Sequence, residues 1–395
     1  MNKHPAGNNR LGRKNLAWNR LFLPTFLILF IVGMNACGHK GNNSPGEKDE
    51  TNSGSLISRD ITRRALEYAD SMLTLLTLEE RVGQCLMPSI PSISDSANIS
   101  LLKRFIKDFH VGGIVLLKGN LKSAEILSRV GRESLVPLFI AIDAEWGLGM
   151  RLDDAPVYPK NGHLSPQLEE PALYDYGRHI AEECRSVGIN MVLGPVIDVL
   201  SAKGSVIGNR AFGSDPSKVA QFGIAYAKGL ESGGVISVAK HFPGHGSLIQ
   251  DSHKGVAELN KQITELDTTD LKPFKEFISS GLSGIMAGHI SAKALDPSGI
   301  PASISEDILT RLLREEMGFK GLILTDAFDM GGAATLEETD ALEAGADIIL
   351  CPQDIEKAFY IILEKASNNH AFSEILNNRC KQILFYKSLF LQPNQ

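Results

Sequence analysis

The sequence predicts an α/β fold in which eight parallel strands close into a (β/α)8 barrel of the TIM type. Short, near-continuous apolar segments recur at 85–87, 113–117, 138–142, 191–193, 235–239, 285–287, 322–324 and 348–350. Most are followed by a polar or glycine-rich turn and a helical pattern, as strands buried on both faces require. Polar residues also stand just after many of these segments instead of at one crevice. That is how the mouth of a barrel is furnished; an open doubly wound sheet, the structural alternative, would concentrate them at one switch point. With 395 residues and 43% hydrophobic content, the chain can bury a core of that size.

The ends of the chain are of a different character. Residues 1–36 carry Lys3, Arg10, Arg13, Lys14 and Arg20, no acid, and an apolar run over 21–34 containing Pro24. That run is too short to span a bilayer comfortably as a helix and reads as a secretory signal. Ala36 followed by Cys37 resembles a bacterial lipoprotein cleavage and lipidation site; an uncleaved short anchor is the competing reading. Residues 37–58, dominated by Gly, Asn, Ser, Lys and Glu, read as a flexible tether to a single catalytic domain over 59–395. The expected location is therefore outside the cytoplasm, anchored by lipid to a membrane of the bacterial envelope. Losing the five positive charges of 1–36 takes the formal net charge from −6 to about −11, which argues against nucleic acid as a partner. Cys85, Cys184, Cys351 and Cys380 show no disulfide framework and no C-x-x-C spacing, and read as buried free thiols.

Within the body, 60–76 has helical periodicity, and Thr77 with Glu80 three residues later predicts a capping box opening a second helix. Asp143 follows the third apolar segment and Asp198 lies beyond the fourth. Lys240-His241 end the fifth, His289 the sixth and Asp326 the seventh. The loop over 203–215 is rich in Gly and Ser yet contains Arg210, and reads as functional as readily as a spacer.

The densest chemistry is K-H-F-P-G-H-G-S-L-I-Q-D-S-H at 240–253, which Pro243, Gly244 and Gly246 force into a loop. Asp251 and His253 are two apart, so the carboxylate can accept from one imidazole nitrogen and leave the other for proton transfer. A metal site and a solvated ion-paired loop are the bland alternatives, and no further ligand cluster of suitable spacing supports the metal. Asp326, in T-D-A-F-D-M after a strand, offers a rigidly held nucleophile; taken alone it could equally cap the next helix.

These motifs, together with G-P-V-I-D-V at 194–199, G-N-R-A-F-G-S-D-P at 208–216, I-M-A-G-H-I at 285–290 and G-F-K-G-L-I-L-T-D at 318–326, resemble glycoside hydrolase family 3, and in it the bacterial β-N-acetylglucosaminidases. The resemblance covers about 76–350. It implies Asp326 as the nucleophile that forms a covalent glycosyl-enzyme, and His253 as general acid and then base, oriented by Asp251. It also implies Lys240, His241, Asp143, Arg151 and Arg210 as sugar-binding groups, with His289 beside them. The segment D-A-E-W-G-L-G-M-R departs from the family's pattern at Trp146 and Leu148, on the leaving-group side, and Ser247 stands where the family often has Asp. A histidine suits the acid/base role because its ordinary pKa of about 6.5 lies near working pH.

The implied activity is exo-acting removal of a terminal β-linked N-acetylglucosamine by a retaining mechanism, with no metal or cofactor, peptidoglycan fragments being the leading substrate. A β-N-acetylglucosaminide phosphorylase on the same scaffold and a catalytically inactive surface glycan-binding protein are the rivals. The second should have lost Asp326 or the dyad, and all three residues are present.

Overall fold

The computed structural model describes residues 59–93, 95–249 and 255–391. The signal segment, Cys37, the tether and the Asp251–His253 pair lie outside the described residues. Along the described chain the strands are β1 (Leu86–Met87), β2 (Ser89–Ile90), β3 (Gly113–Leu116), β4 (Phe139–Ile142), β5 (Met191–Val192) and β6 (Ile236–Phe242). They continue as β7 (Ala257–Glu258), β8 (Gly284–Ala287), β9 (Ile290–Ser291), β10 (Leu322–Thr325) and β11 (Ile349–Leu350). Each predicted apolar segment overlaps one of them. Every residue of β3, β4, β8 and β10 is buried, so these strands read as apolar runs and not as alternations.

β2, β3, β4, β5, β6, β8 and β10 form one parallel sheet in that spatial order, and β1 pairs in parallel with β11. Thr325 N donates to Ile348 O (3.0 Å) at one edge, and Ile349 N to Cys85 O (2.8 Å) carries the pairing on to β1. Gly112 N then donates to Leu86 O (3.1 Å) at the threshold of β3. The sheet is therefore curled, in keeping with a TIM-like fold.

Helices cover the outer face. Thr77 and Glu80 form the expected capping box at Leu78–Gln84. Glu170–Ser186 and Pro216–Ser232 cross closely because both contribute glycine at the contact: a Cβ on Gly177 would meet Tyr226 O at 2.1 Å, and one on Gly229 would meet Tyr174 O at 2.1 Å. Arg59–Leu75 packs on the last helix, His370–Leu391, around Ala69, Leu76, Cys380 and Leu384. Cys85, Cys184, Cys351 and Cys380 are free and buried, as read from their spacing.

One boundary differs from the sequence reading. β6 runs one residue beyond Lys240-His241, where the sequence reading ends the strand, to Phe242, all three buried. Lys240 N donates to Pro195 O and Ile197 N to Lys240 O (3.0 Å each), so the segment before β6 supplies the pairing partners. The register against β8 shifts between Lys240 and Phe242. Polar residues persist in this strand because carboxylates meet their side chains.

Candidate active site

A cavity of about 480 Å³ opens at the C-terminal ends of the strands, walled by Asp143, Glu145, Arg210, Lys240, His241 and Asp326 among others. Lys240 reaches it from β6 with only 2% of its surface exposed. Its Nζ donates to Asp143 Oδ1 at 2.7 Å and stands 2.8 Å from Glu145 Oε1. Arg151 binds the other oxygen of Asp143. Arg210 grips Glu145 with two parallel bonds, Nε to Oε2 at 3.0 Å and NH2 to Oε1 at 2.7 Å.

Burial by itself would raise the Asp143 and Glu145 carboxyls. Lys240 with Arg151, and Lys240 with Arg210, outweigh it, and both are held below the usual carboxylate range. For the same reason Lys240, which burial alone would push down, is raised. The result is an ionised, fixed lattice of charge.

On the other side of Lys240, His241 Nδ1 stands 2.8 Å from Asp198 Oδ2. Asp198 is 1% exposed, and its Oδ1 accepts from the backbone N–H of His241 (3.1 Å) and of His245 (2.7 Å). Burial opposes the Asp198 charge, but His241 and these donors hold the carboxyl below its ordinary range. A carboxylate only accepts, so His241 carries a proton on Nδ1, towards Asp198.

Asp326 ends β10. Its backbone N–H donates to Ala287 O (2.7 Å) and its Oδ1 accepts from Ala327 N (2.9 Å), which fix the carboxylate in the cavity wall at 8% exposure. Burial would raise this carboxyl; the nearby His241 and His289 and the Ala327 N–H prevail and lower it.

Of the residues singled out in the sequence, Asp143, Arg151, Arg210, Lys240, His241 and Asp326 share this one cavity. His289, expected among the sugar-binding groups, is fully buried outside its lining. Its ring nitrogens meet Ser303 Oγ (2.7 Å) and Ala327 O (3.1 Å), so it braces the backbone after Asp326. The loop that leads to Asp251 and His253 is described as far as Ile249. There Ser201 N donates to Gly246 O (3.3 Å) and Val206 N to Leu248 O (3.2 Å), linking it to the Arg210 loop.

Two functional residues were missed. Glu145 stands two residues after Asp143 in D-A-E-W-G-L-G-M-R, but nothing local ties it to Lys240 or Arg210. Asp198 was noted beyond the fourth strand without a role, and nothing local tied it to a histidine 43 residues later.

The profile of the glycosyl hydrolase family 3 N-terminal domain matches residues 77–385, and the chain belongs to that family. A protein named beta-hexosaminidase from Nitrosomonas eutropha is 35% identical over 264 residues, 63% of this chain and 75% of that protein. The structure of a glycoside hydrolase family 3 beta-N-acetylglucosaminidase from a Paenibacillus species matches with a TM-score of 0.74 at 30% identity, covering 80% of this chain and 63% of that one. That of a beta-N-acetylhexosaminidase from Beutenbergia cavernae matches at 0.71 and 26%, covering 78% of this chain and 98% of that one.

Proposed function

We propose that the chain is an exo-acting, retaining β-N-acetylglucosaminidase. The observation that carries the reading is the Asp326 carboxylate, ionised at a strand end, in the same wall as the Asp143–Lys240–Glu145–Arg210 lattice. The names of its relatives support the N-acetylhexosamine substrate. The lattice holds the hydroxyls of the terminal sugar while Asp326 attacks the anomeric carbon. The bond to the leaving oxygen breaks as His253, oriented by Asp251, delivers a proton to that oxygen. His253 then takes a proton from water, whose oxygen displaces Asp326 and restores the β configuration.

The domain is read as a closed (β/α)8 barrel over 59–395, preceded by a signal over 1–36, a lipidated Cys37 and a tether over 37–58. An envelope location makes peptidoglycan fragments the substrate class to test first. Hydrolysis of an aryl β-N-acetylglucosaminide beside the matching glucoside tests the reading, with strong preference for the former expected. Comparable turnover of both, or sugar 1-phosphate formed when phosphate is added, would overturn it. Cys37→Ser should release the protein from membranes; retention without lipid labelling would replace the lipid by an uncleaved anchor.

A further inference from the structure

A second cavity, of about 320 Å³, lies at the opposite ends of the strands, where the chain enters β10 and β11. Its wall includes Arg314, Lys320, Asp347, Arg379, Lys381 and Gln382, with Leu66, Phe319 and Phe385 as its apolar part. Four cations therefore face one carboxylate, on a chain whose net charge is negative.

The pairing is unequal. Asp347 accepts from Arg314 and from Ile323 N (2.8 Å), and Arg314 also donates to the carbonyls of Phe319 and Gly321. Lys381 pairs with Asp70, outside the wall. Arg379 and Lys320 remain. Arg379 is half-buried on the last helix, and its Nε donates to Leu342 O at 3.3 Å. Among the described residues no carboxylate stands within 4.0 Å of its guanidinium or of the Lys320 ammonium. Burial pushes the Arg379 guanidinium down; the more distant charge of Asp347 opposes this only in part, and Arg314 works against Asp347. A half-buried cation without a counter-ion is costly and attracts an anion.

We propose that this cavity binds a phosphomonoester, held by Arg379 and Lys320. Two unspent positive charges match a group carrying about −1.5 to −2 at pH 7, and the guanidinium fork fits phosphate oxygens in pairs. The volume exceeds that of phosphate alone, and Leu66 and Phe385 offer apolar surface to whatever the phosphate is attached to. A soluble phosphate compound and a phospholipid headgroup share this chemistry.

The test is calorimetric titration of the full chain with inorganic phosphate, and flotation with vesicles of phosphatidylcholine with or without phosphatidate. Saturable phosphate binding is expected, weakened about 10-fold or more in Arg379→Gln and several-fold in Lys320→Ala. Lys320 is exposed, so its variant should fold and hydrolyse normally. Phosphatidate-dependent flotation lost in both variants identifies a headgroup; phosphate binding without such flotation identifies a soluble ligand. Both support the site. No saturable binding overturns it, as does binding kept in Arg379→Gln but lost in Arg210→Ala, which would place the phosphate at the barrel mouth.

Discussion

Lys240 and Lys387 are buried to the same depth, 2% and 1% exposed, at opposite ends of one sheet, and burial has opposite outcomes for them. Lys240 sits between Asp143 and Glu145, whose charges outweigh desolvation and raise it. Among the described residues Lys387 meets Gln84 Oε1 at 2.6 Å and the face of Phe139 at 5.2 Å but no carboxylate, and desolvation takes it down to about 7. The thiols of Cys380 and Cys85 offset little, since burial keeps both protonated. The mouth is thus a balanced set of ions that stay ionised and can act on a substrate. Around Lys387 no such set of counter-charges is assembled, and this one group is buried at the cost of its charge.

The contrast is broken most severely by Asp326→Ala. If the charges of the mouth serve chemistry, turnover should fall on the order of 10⁴-fold or more while the cooperative unfolding transition is kept. A fluorinated slow substrate should label Asp326 in the native protein; labelling of Asp329 would show the wrong carboxylate was chosen. His253→Ala should slow poor leaving groups most, by about 10²- to 10⁴-fold, with azide restoring turnover of activated ones. Equal slowing of good and poor leaving groups, unaffected by azide, would make it a binding group.

Glu145→Gln attacks the balance itself. It leaves Lys240 and Arg210 short of one negative charge in a buried site, so stability should drop by about 3–5 kcal/mol. kcat/KM should fall with it, because both cations lose their fixed positions. Urea denaturation near that of the parent protein would mean that Glu145 does not hold the pair.

The sheet was legible because its strands are covered on both faces and so read as apolar runs, and the helix at Thr77 because its cap is local. What was not legible depends on partners distant in sequence. Lys240 and His241 are seen to end a buried strand, but what lets them be buried there is Asp143, Glu145 and Asp198, which come from other strand ends. His289 looked like a ligand at a strand end; Ser303 and Ala327, from two later loops, make it a brace.

The smallest effects belong to the two groups that burial drives towards neutrality, Lys387 and Glu231, and appear as pH dependence. Lys387 has a folded pKa of about 7 against an ordinary 10.5, so between those values the unfolded chain binds the extra proton and stability rises with pH. Half-buried Glu231, accepting from Ser237 Oγ (2.6 Å) and Ser283 N (2.9 Å), is raised by burial from 4.5 to about 7. In that window the folded chain binds the extra proton, and stability falls as pH rises. The two slopes meet in a local minimum near pH 7. Lys387→Met should remove the rise above 7 and stabilise the neutral protein by on the order of 1–4 kcal/mol. Glu231→Gln should remove the fall below 7, with a smaller gain because Ser237 and Ser283 still find an acceptor. Urea denaturation at pH 5, 7 and 9 measures both. A parent protein equally stable at all three, with both variants tracking it, would show that neither group changes its charge on folding.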